Sequence, residues 1–548
     1  MKKQYSLVAT VAAVCASVTL SAQAAPVDSR DKPFNEYSWV TTHNAYEKIN
    51  QNLKEMPAQL KDGVRGFMID IYPDTNAVRP ELAIKVCHKT LACYGAFSSQ
   101  LKNEFIPFLK ANPTEVVTIF LETYVSRDQL QQVFNTLPDL ASLSFNPANF
   151  PATRWPTLRE MAAKNNRLIF LTDRSEIAGN YTVQGKTVTV LYDQDWIVQN
   201  RWDTLGLVAT NIGAAHNWSC PTRWDRLPLN TSQVDRSTGK QWKRLFLMNQ
   251  FHHGTSTTPD SAKYDNNMTY LQRRQDNCGR APNFVGVNNY ASGEVGRYTN
   301  GLNNGGIYLH EGPGATKRED IVCVIPVKPG LVNRKANGCE NDEARSMSLS
   351  GVAKNTRITL FDNGSGNRDD DHVIIDVLRN ISMNERIIIP SFESSYKTEA
   401  YRSAFVRNNG LNGKVSRIEI SKTPTDFSDA SISFYEGSGA SQSLDCTVPF
   451  NRRFDLKMKS NGYGCSNDEI RSARITKAKA GSTFTVVGHP NGEYKEGYTT
   501  VEILRDITSQ MTVPSFNRNY TSSYFKVTNH RHHVDGKISY IEIGGKAN

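Results

Sequence analysis

Along the first three hundred residues, short apolar runs alternate with stretches of helical spacing. Runs at 66–71, 82–87, 115–121, 167–171, 244–248 and 283–287 are rich in β-branched and aromatic side chains, and apolar runs of that length predict buried strands. Residues 97–111 and 157–164 instead repeat their apolar positions every three or four residues, as a helix with one buried face does. Polar side chains gather where the runs end, at Asp70, His88, Glu122 and Asp173. Alternating strands and helices with polar groups at strand ends predict a βα barrel, an α/β fold whose chemistry sits at the carboxyl ends of its strands.

From about residue 322 the texture changes to short alternating strands, such as 357–361 and 416–420, separated by Gly, Asn and Asp. A repeat runs through this region. Gly338-Cys339-Glu340-Asn341-Asp342-Glu343-Ala344-Arg345-Ser346 aligns with Gly464-Cys465-Ser466-Asn467-Asp468-Glu469-Ile470-Arg471-Ser472, and Pro390-Ser391-Phe392 with Pro514-Ser515-Phe516. Two copies of one module predict two all-β Greek-key sandwich modules. The expected divisions are a signal peptide at 1–24, a catalytic barrel at 25–315, a first module at 316–422, a Ser/Thr/Gly-rich linker at 423–443 and a second module at 444–548.

Composition narrows the class. The chain has 548 residues, 39% of them hydrophobic and 22% charged, which suits several globular domains and excludes a disordered, collagenous or coiled-coil chain. Lys2 and Lys3 precede an apolar stretch that ends at Ala22-Gln23-Ala24, the pattern of a cleaved secretory signal. No later run approaches the roughly 20 apolar residues of a membrane-spanning helix, so a secreted or periplasmic soluble monomer is expected. The formal charge of +10, or +8 once Lys2 and Lys3 are removed, favours anionic partners, but no basic run points to nucleic acid. Of the 9 cysteines, Cys15 lies in the signal. The other eight suggest disulfides between sequence neighbours: Cys87–Cys93, Cys220–Cys278, Cys323–Cys339 and Cys446–Cys465.

Three stretches carry acid–base groups. His43 stands beside Asn44 in Thr41-Thr42-His43-Asn44-Ala45-Tyr46, Asp70 closes an apolar run, and His88 follows Cys87. Two imidazoles at strand ends can remove and return a proton near neutrality, although each taken alone is equally compatible with a structural role. His43-Asn44, Asp62-Gly63-Val64-Arg65-Gly66-Phe67-Met68-Ile69-Asp70, Cys87-His88 and Asn112-Pro113-Thr114-Glu115-Val116-Val117-Thr118-Ile119-Phe120-Leu121-Glu122 follow one another in order. In that order they resemble the X domain of phosphatidylinositol-specific phospholipase C, and most of all the secreted PLC-like phosphodiesterases of plants, fungi and bacteria.

The resemblance implies a distorted TIM barrel acting on a phospholipid at a membrane surface. His43 would assist attack of the inositol 2-hydroxyl on phosphorus, and His88 would protonate the departing glycerol oxygen. Diacylglycerol and a cyclic inositol phosphate would be the products. Calcium-dependent relatives place four oxygen ligands in these stretches. Asn44, Asp70 and Glu122 match three of them, and Met68 stands at the fourth. Two readings stay open for Asp70, a reduced calcium site or a carboxylate that orients an imidazole. Arg65 and Lys89 are the candidate phosphate-binding cations, with Arg65 equally suited to a structural ion pair. His252 and His253 could line the mouth or be hydrogen bonded, and Trp196, Trp218 and Trp242 could form an apolar rim or belong to the core.

The repeats resemble βγ-crystallin modules. Asn341-Asp342 and Asn467-Asp468 match that family's calcium-binding stretch, but Arg345 and Arg471 replace its Ser or Thr, and turn hydrogen bonds are the competing use of the Asn and Asp. An alternative function makes the barrel catalytically degenerate and the β repeats a surface, envelope or glycan-binding unit.

Overall fold

Eight parallel strands run through the sheet, β1 Trp39–Thr42, β2 Gly66–Pro73, β3 Val117–Thr123, β4 Leu168–Thr172, β5 Lys186–Tyr192, β6 Ile197–Gln199, β7 Leu245–Asn249 and β8 Phe284–Val287, and five of the six expected runs are among them; the sixth, at 82–87, forms the strand Ile84–His88, which pairs antiparallel with β2. This computed structural model describes residues 30–546 apart from 90–91, 207–216, 253–257, 316–320, 369, 384, 407–408, 424–426 and 532. The expected signal segment, Cys15 and His253 lie outside the described residues. The strand order is β5-β4-β3-β2-β1-β8-β7-β6, the sequential order of a βα barrel.

Past β5 the sheet continues to the antiparallel strand Gly179–Val183, and among the described residues no pairing joins β5 to β6, so the hydrogen bonding does not run round a closed ring there. The join between the two strands explains the gap. Only the turn Asp193–Trp196 separates them, whereas parallel neighbours need a crossover of about a dozen residues or more.

Side chains alternate across each strand, and the alternation sorts the core into two layers. Phe67, Ile69, Ile71, Ile119 and Leu121 face outward into the layer beneath the helices. Phe120 faces inward, with Met68 packed against the same cluster of Trp39, Trp155, Trp196, Trp242 and Phe284. At roughly 1.5–3 kcal/mol for each large apolar side chain buried, these aromatics hold the barrel interior together. Gly66 permits the close approach of β1 to β2, because a Cβ there would stand 2.1 Å from Thr41 Oγ1.

The helix expected at 97–111 is present but interrupted by a π-type turn at Leu101–Phe105, just before Pro107, which has no N–H to continue the ladder. The helix Leu158–Ala163 starts from a capping box between Thr157 and Glu160. All four disulfides join the sequence neighbours. Among the described residues, no helix is long and apolar enough to cross a membrane.

Beyond the barrel every sheet is antiparallel. The first repeat builds one sheet of four strands and one of five around a shared core, and the second builds sheets of four and six strands around another. Two boundaries differ from the sequence reading. Gly306–His310, inside the segment assigned to the barrel, pairs with Ile321–Ile325 and Ser346–Ser350, and so belongs to the first module's sheet. Ser431–Tyr435, inside the expected linker, pairs with Leu444–Pro449 and Ser472–Ala478. In both repeats a serine hydroxyl donates to the aspartate of the Asn-Asp pair, Ser416 to Asp342 and Ser539 to Asp468, at 3.1 Å each.

Candidate active site

The carboxyl ends of the parallel strands open onto a cavity of about 990 Å³. Strand geometry delivers its polar lining. After β1 the chain turns at Asn44, whose φ of 47° is a left-handed conformation that Asn tolerates better than most residues, and His43 is set on the cavity wall. Asp70 on β2 pairs directly opposite Glu122 on β3. His88 ends the strand Ile84–His88, which the Cys87–Cys93 disulfide ties to Ala92–Ala96.

His43 Nδ1 lies 3.0 Å from Asn288 Oδ1, and its ring stacks on Phe251 with centroids 3.9 Å apart. Asn288 Nδ2 is directed at the His252 carbonyl, which turns its Oδ1 toward His43. An amide oxygen only accepts, so Nδ1 carries the proton and Nε2 keeps its lone pair. Burial drives the pKa of His43 down to about 4, with His88 and Arg223 adding to the depression and the Asn288 bond opposing it. His43 is therefore a neutral imidazole near neutrality, close enough to His88 to feel its charge.

His88 Nδ1 lies 2.9 Å from Oε1 of the buried Glu47. Asn44 Nδ2 stands 3.1 Å from the same ring nitrogen and 3.4 Å from Glu47 Oε2, where Asn50 Nδ2 also donates at 2.5 Å. One ring nitrogen cannot both give a proton to a carboxylate and accept one from an amide. The charge-assisted contact is the stronger, so Nδ1–H donates to Glu47, while Asn44 and Asn50 brace that carboxylate. His88 Nε2 is left for the cavity.

A row of carboxylates lines the same wall. Burial pushes Asp70 up to about 8, reinforced by Glu122 and opposed by a hydrogen bond from Tyr46. Burial likewise pushes Asp193 up to about 7, with Arg223 opposing. Tyr124 donates to Glu122 and stacks on Tyr72 at 4.2 Å. Among the described residues, no lysine or arginine pairs with Asp70 or Glu122. Asn44, Asp70 and Glu122 all line the cavity and are the residues that could hold a divalent cation, because each offers a hard oxygen donor.

Of the two expected phosphate contacts, Lys89 stands on the cavity rim and Arg65 does not reach it. Arg65 precedes the first residue of β2, at the opposite end of that strand from Asp70. There Nε bonds Glu115 Oε2 at 2.8 Å and Nη1 bonds the Leu60 and Val64 carbonyls. The second cation in the cavity is Arg223, bonded to Gln199 Oε1 at 2.9 Å. His252 does line the cavity, but it is buried and its Nδ1 lies 2.9 Å from Asp265 Oδ2. Trp196 and Trp242 are buried in the inner core, and Trp218 packs edge-on against Tyr270. The apolar rim is built instead by Ile49 (67% exposed), Leu53 (74%) and Trp202 (43%).

The family model PI-PLC X matches residues 30–203, from before β1 to just beyond β6, a segment that contains His43, Asn44, Asp70, His88 and Glu122. A PI-PLC X domain-containing protein of Arabidopsis thaliana is 29% identical over 292 residues, covering 48% of this chain and 60% of the relative's length. Among solved structures, the phosphatidylinositol-specific phospholipase C of Listeria monocytogenes aligns at 15% identity and a TM-score of 0.34, covering 52% of this chain and 97% of that one. The corresponding enzyme of Staphylococcus aureus aligns at 13% and 0.32, covering 50% and 94%. Residues 30–203 of this chain match the PI-PLC X family model, and that match supports a phosphodiesterase-like relationship.

Proposed function

We propose that the cavity cleaves phosphatidylinositol-type phosphodiesters by internal attack, with His43 as base and His88 as acid. One observation carries the reading: each imidazole commits Nδ1 to an acceptor in the wall, Asn288 or Glu47, and keeps Nε2 for the cavity. His43 Nε2 takes the proton of the inositol 2-hydroxyl, whose oxygen forms a bond to phosphorus. The bond from phosphorus to the glycerol oxygen breaks, and His88, protonated on both nitrogens, gives its Nε2 proton to that oxygen. Diacylglycerol and a cyclic inositol phosphate result. The nucleophile and the phosphorus belong to one molecule, so the enzyme mainly supplies proton transfer and charge stabilisation.

Glu47 holds the His88 ring in place by accepting from Nδ1–H. Lys89 and Arg223 are the cations in place for the phosphate. Calcium would be held by Asn44, Asp70 and Glu122, where it would offset charge building on the phosphate. Ile49, Leu53 and Trp202 offer an apolar rim toward a lipid surface. Four disulfides suit an exported protein.

Incubation with phosphatidylinositol vesicles, with and without calcium chelation, tests the reading. A water-soluble inositol phosphate and diacylglycerol should appear, and a His43→Ala protein should release neither.

A further inference from the structure

His88 does not stand on one of the eight parallel strands. It ends Ile84–His88, which pairs with β2 only from Ile84 to Val86, opposite Pro73 to Ile71. Cys87 and His88 run past that ladder, and their partners are Cys93 and Ala92 on the strand Ala92–Ala96. Among the described residues this outer strand pairs with Ile84–His88 alone, and Ala92, Cys93, Tyr94 and Gly95 are all exposed. A strand end with so little packed behind it opens at low cost. The Cys87–Cys93 disulfide ties the two strands covalently at that point, next to the imidazole assigned as the acid, and Lys89 follows on the cavity rim.

Two properties separate this bond from the other three. Thiol–disulfide exchange needs access to a sulfur, and Cys93 is exposed, whereas Cys87 and the six other disulfide cysteines are buried or half-buried. The bond also closes the shortest loop, with a sequence separation of 6 against 58, 16 and 19. The chain entropy removed by a cross-link grows with loop length, so losing this bond subtracts least from the stability of the whole chain. It is therefore suited to open and close within the folded protein, while the other three act as permanent ties.

We propose that Cys87–Cys93 is a redox switch on the barrel: oxidised, it holds His88 at the cavity and permits cleavage; reduced, it releases the hairpin end and stops it. The inference rests on the reading of His88 as the general acid. The co-reactant is a small thiol such as glutathione. Its thiolate attacks the Cys93 sulfur, a mixed disulfide forms, and the Cys87 sulfur leaves as a thiolate that takes up a proton. A second glutathione thiolate attacks the glutathione sulfur of the mixed disulfide, which frees Cys93 as a thiol after protonation and yields oxidised glutathione. Two electrons pass from two glutathione molecules to the disulfide, and oxidised glutathione reverses the exchange. The chain is latent where thiols are kept reduced and active in an oxidising compartment.

The full chain is held in glutathione buffers of stepped thiol-to-disulfide ratio, trapped with iodoacetamide and mapped by peptide mass, while parallel samples are assayed on phosphatidylinositol vesicles. Cys87–Cys93 should be reduced before the other three bonds. The rate should fall by at least about tenfold in step with that reduction and return with oxidised glutathione, while the melting temperature moves by no more than about 5 °C. The Cys87→Ser/Cys93→Ser protein should show the same loss without any thiol and no response to glutathione, and its loss should grow as the leaving group becomes poorer, the mark of a displaced acid. An unchanged rate with the bond reduced, earlier reduction of another bond, or an equal loss on good and poor leaving groups would overturn the switch alone. No product from the fully oxidised parent would overturn the assignment of His88 together with the switch.

Discussion

Glu47 Oε1 lies 2.9 Å from His88 Nδ1, with Glu47 buried and His88 half-open to the cavity. A buried carboxylate on the far side of an imidazole fixes its tautomer and aims the other ring nitrogen at the cavity. Glu47→Gln removes the charge while keeping the shape. It should lower kcat by about 10–100-fold with little change in KM, while His88→Ala should cost about 10²–10⁴-fold. Rates with a series of leaving groups check the role: both losses should grow as the leaving group becomes poorer, and a uniform loss would place Glu47 outside proton transfer.

His43 gives a pH prediction. With its pKa pushed down to about 4, the neutral base persists well below pH 6.5, so kcat/KM should stay flat on the acid side to about pH 5 unless another group intervenes. Asn288→Asp puts a carboxylate on Nδ1, favours the imidazolium and should move the acid limb up by about one unit or more. A limb that does not move in the variant contradicts the Asn288 contact.

Asp70 makes stability fall as pH rises. The folded carboxyl keeps its proton up to about pH 8, while an unperturbed one releases it near 3.8. Between those values the folded chain binds more protons than the unfolded chain, and each step up in pH favours unfolding. Asp70→Asn should therefore match the parent near pH 4 in the absence of calcium and be the more stable protein at pH 8, by on the order of 2 kcal/mol. If calcium is held there, it should raise the parent's melting temperature more at pH 8 than at pH 5 and leave Asp70→Asn unmoved. Denaturation curves across pH, with and without calcium, measure both effects.

The rim predicts a split between interface and chemistry. Ile49, Leu53 and Trp202 are exposed, so replacing each with Ser should spare the fold and turnover of a soluble headgroup diester. Binding to lipid vesicles should weaken about tenfold per residue, the scale of burying one large apolar side chain. Sedimentation with vesicles measures the first quantity, and equal loss on both substrates would argue against a lipid-facing rim.

His43, Asn44, Asp70 and Glu122 are legible in the sequence because each stands where a short apolar run or a recognisable motif ends and the parallel strands gather such ends at one mouth, whereas His88 reaches the same cavity from a strand antiparallel to β2. Their supports are not. Glu47 reaches His88 across 41 residues and Asn288 reaches His43 across 245, contacts that no local pattern encodes. Arg65 shows the opposite failure. Its motif names a cation beside a strand but not which end of the strand it occupies, and the amino end faces Glu115 rather than the cavity. Trp196 and Trp242 are equally ambiguous in one dimension, since a large aromatic serves a rim or a core, and here the barrel interior takes both. Gly306–His310 hides the start of the first module because its alternation continues straight out of the last barrel helix, Val295–Asn304.

The most direct test is a product assay with phosphatidylinositol vesicles on the parent chain and on His43→Ala and His88→Ala proteins of unchanged melting temperature. Cyclic inositol phosphate and diacylglycerol should form in equal amounts with the parent and fall by at least about 100-fold in each variant. No product from the parent under calcium-replete and calcium-free conditions, or undiminished product from both variants, would contradict acid–base cleavage by this pair of imidazoles.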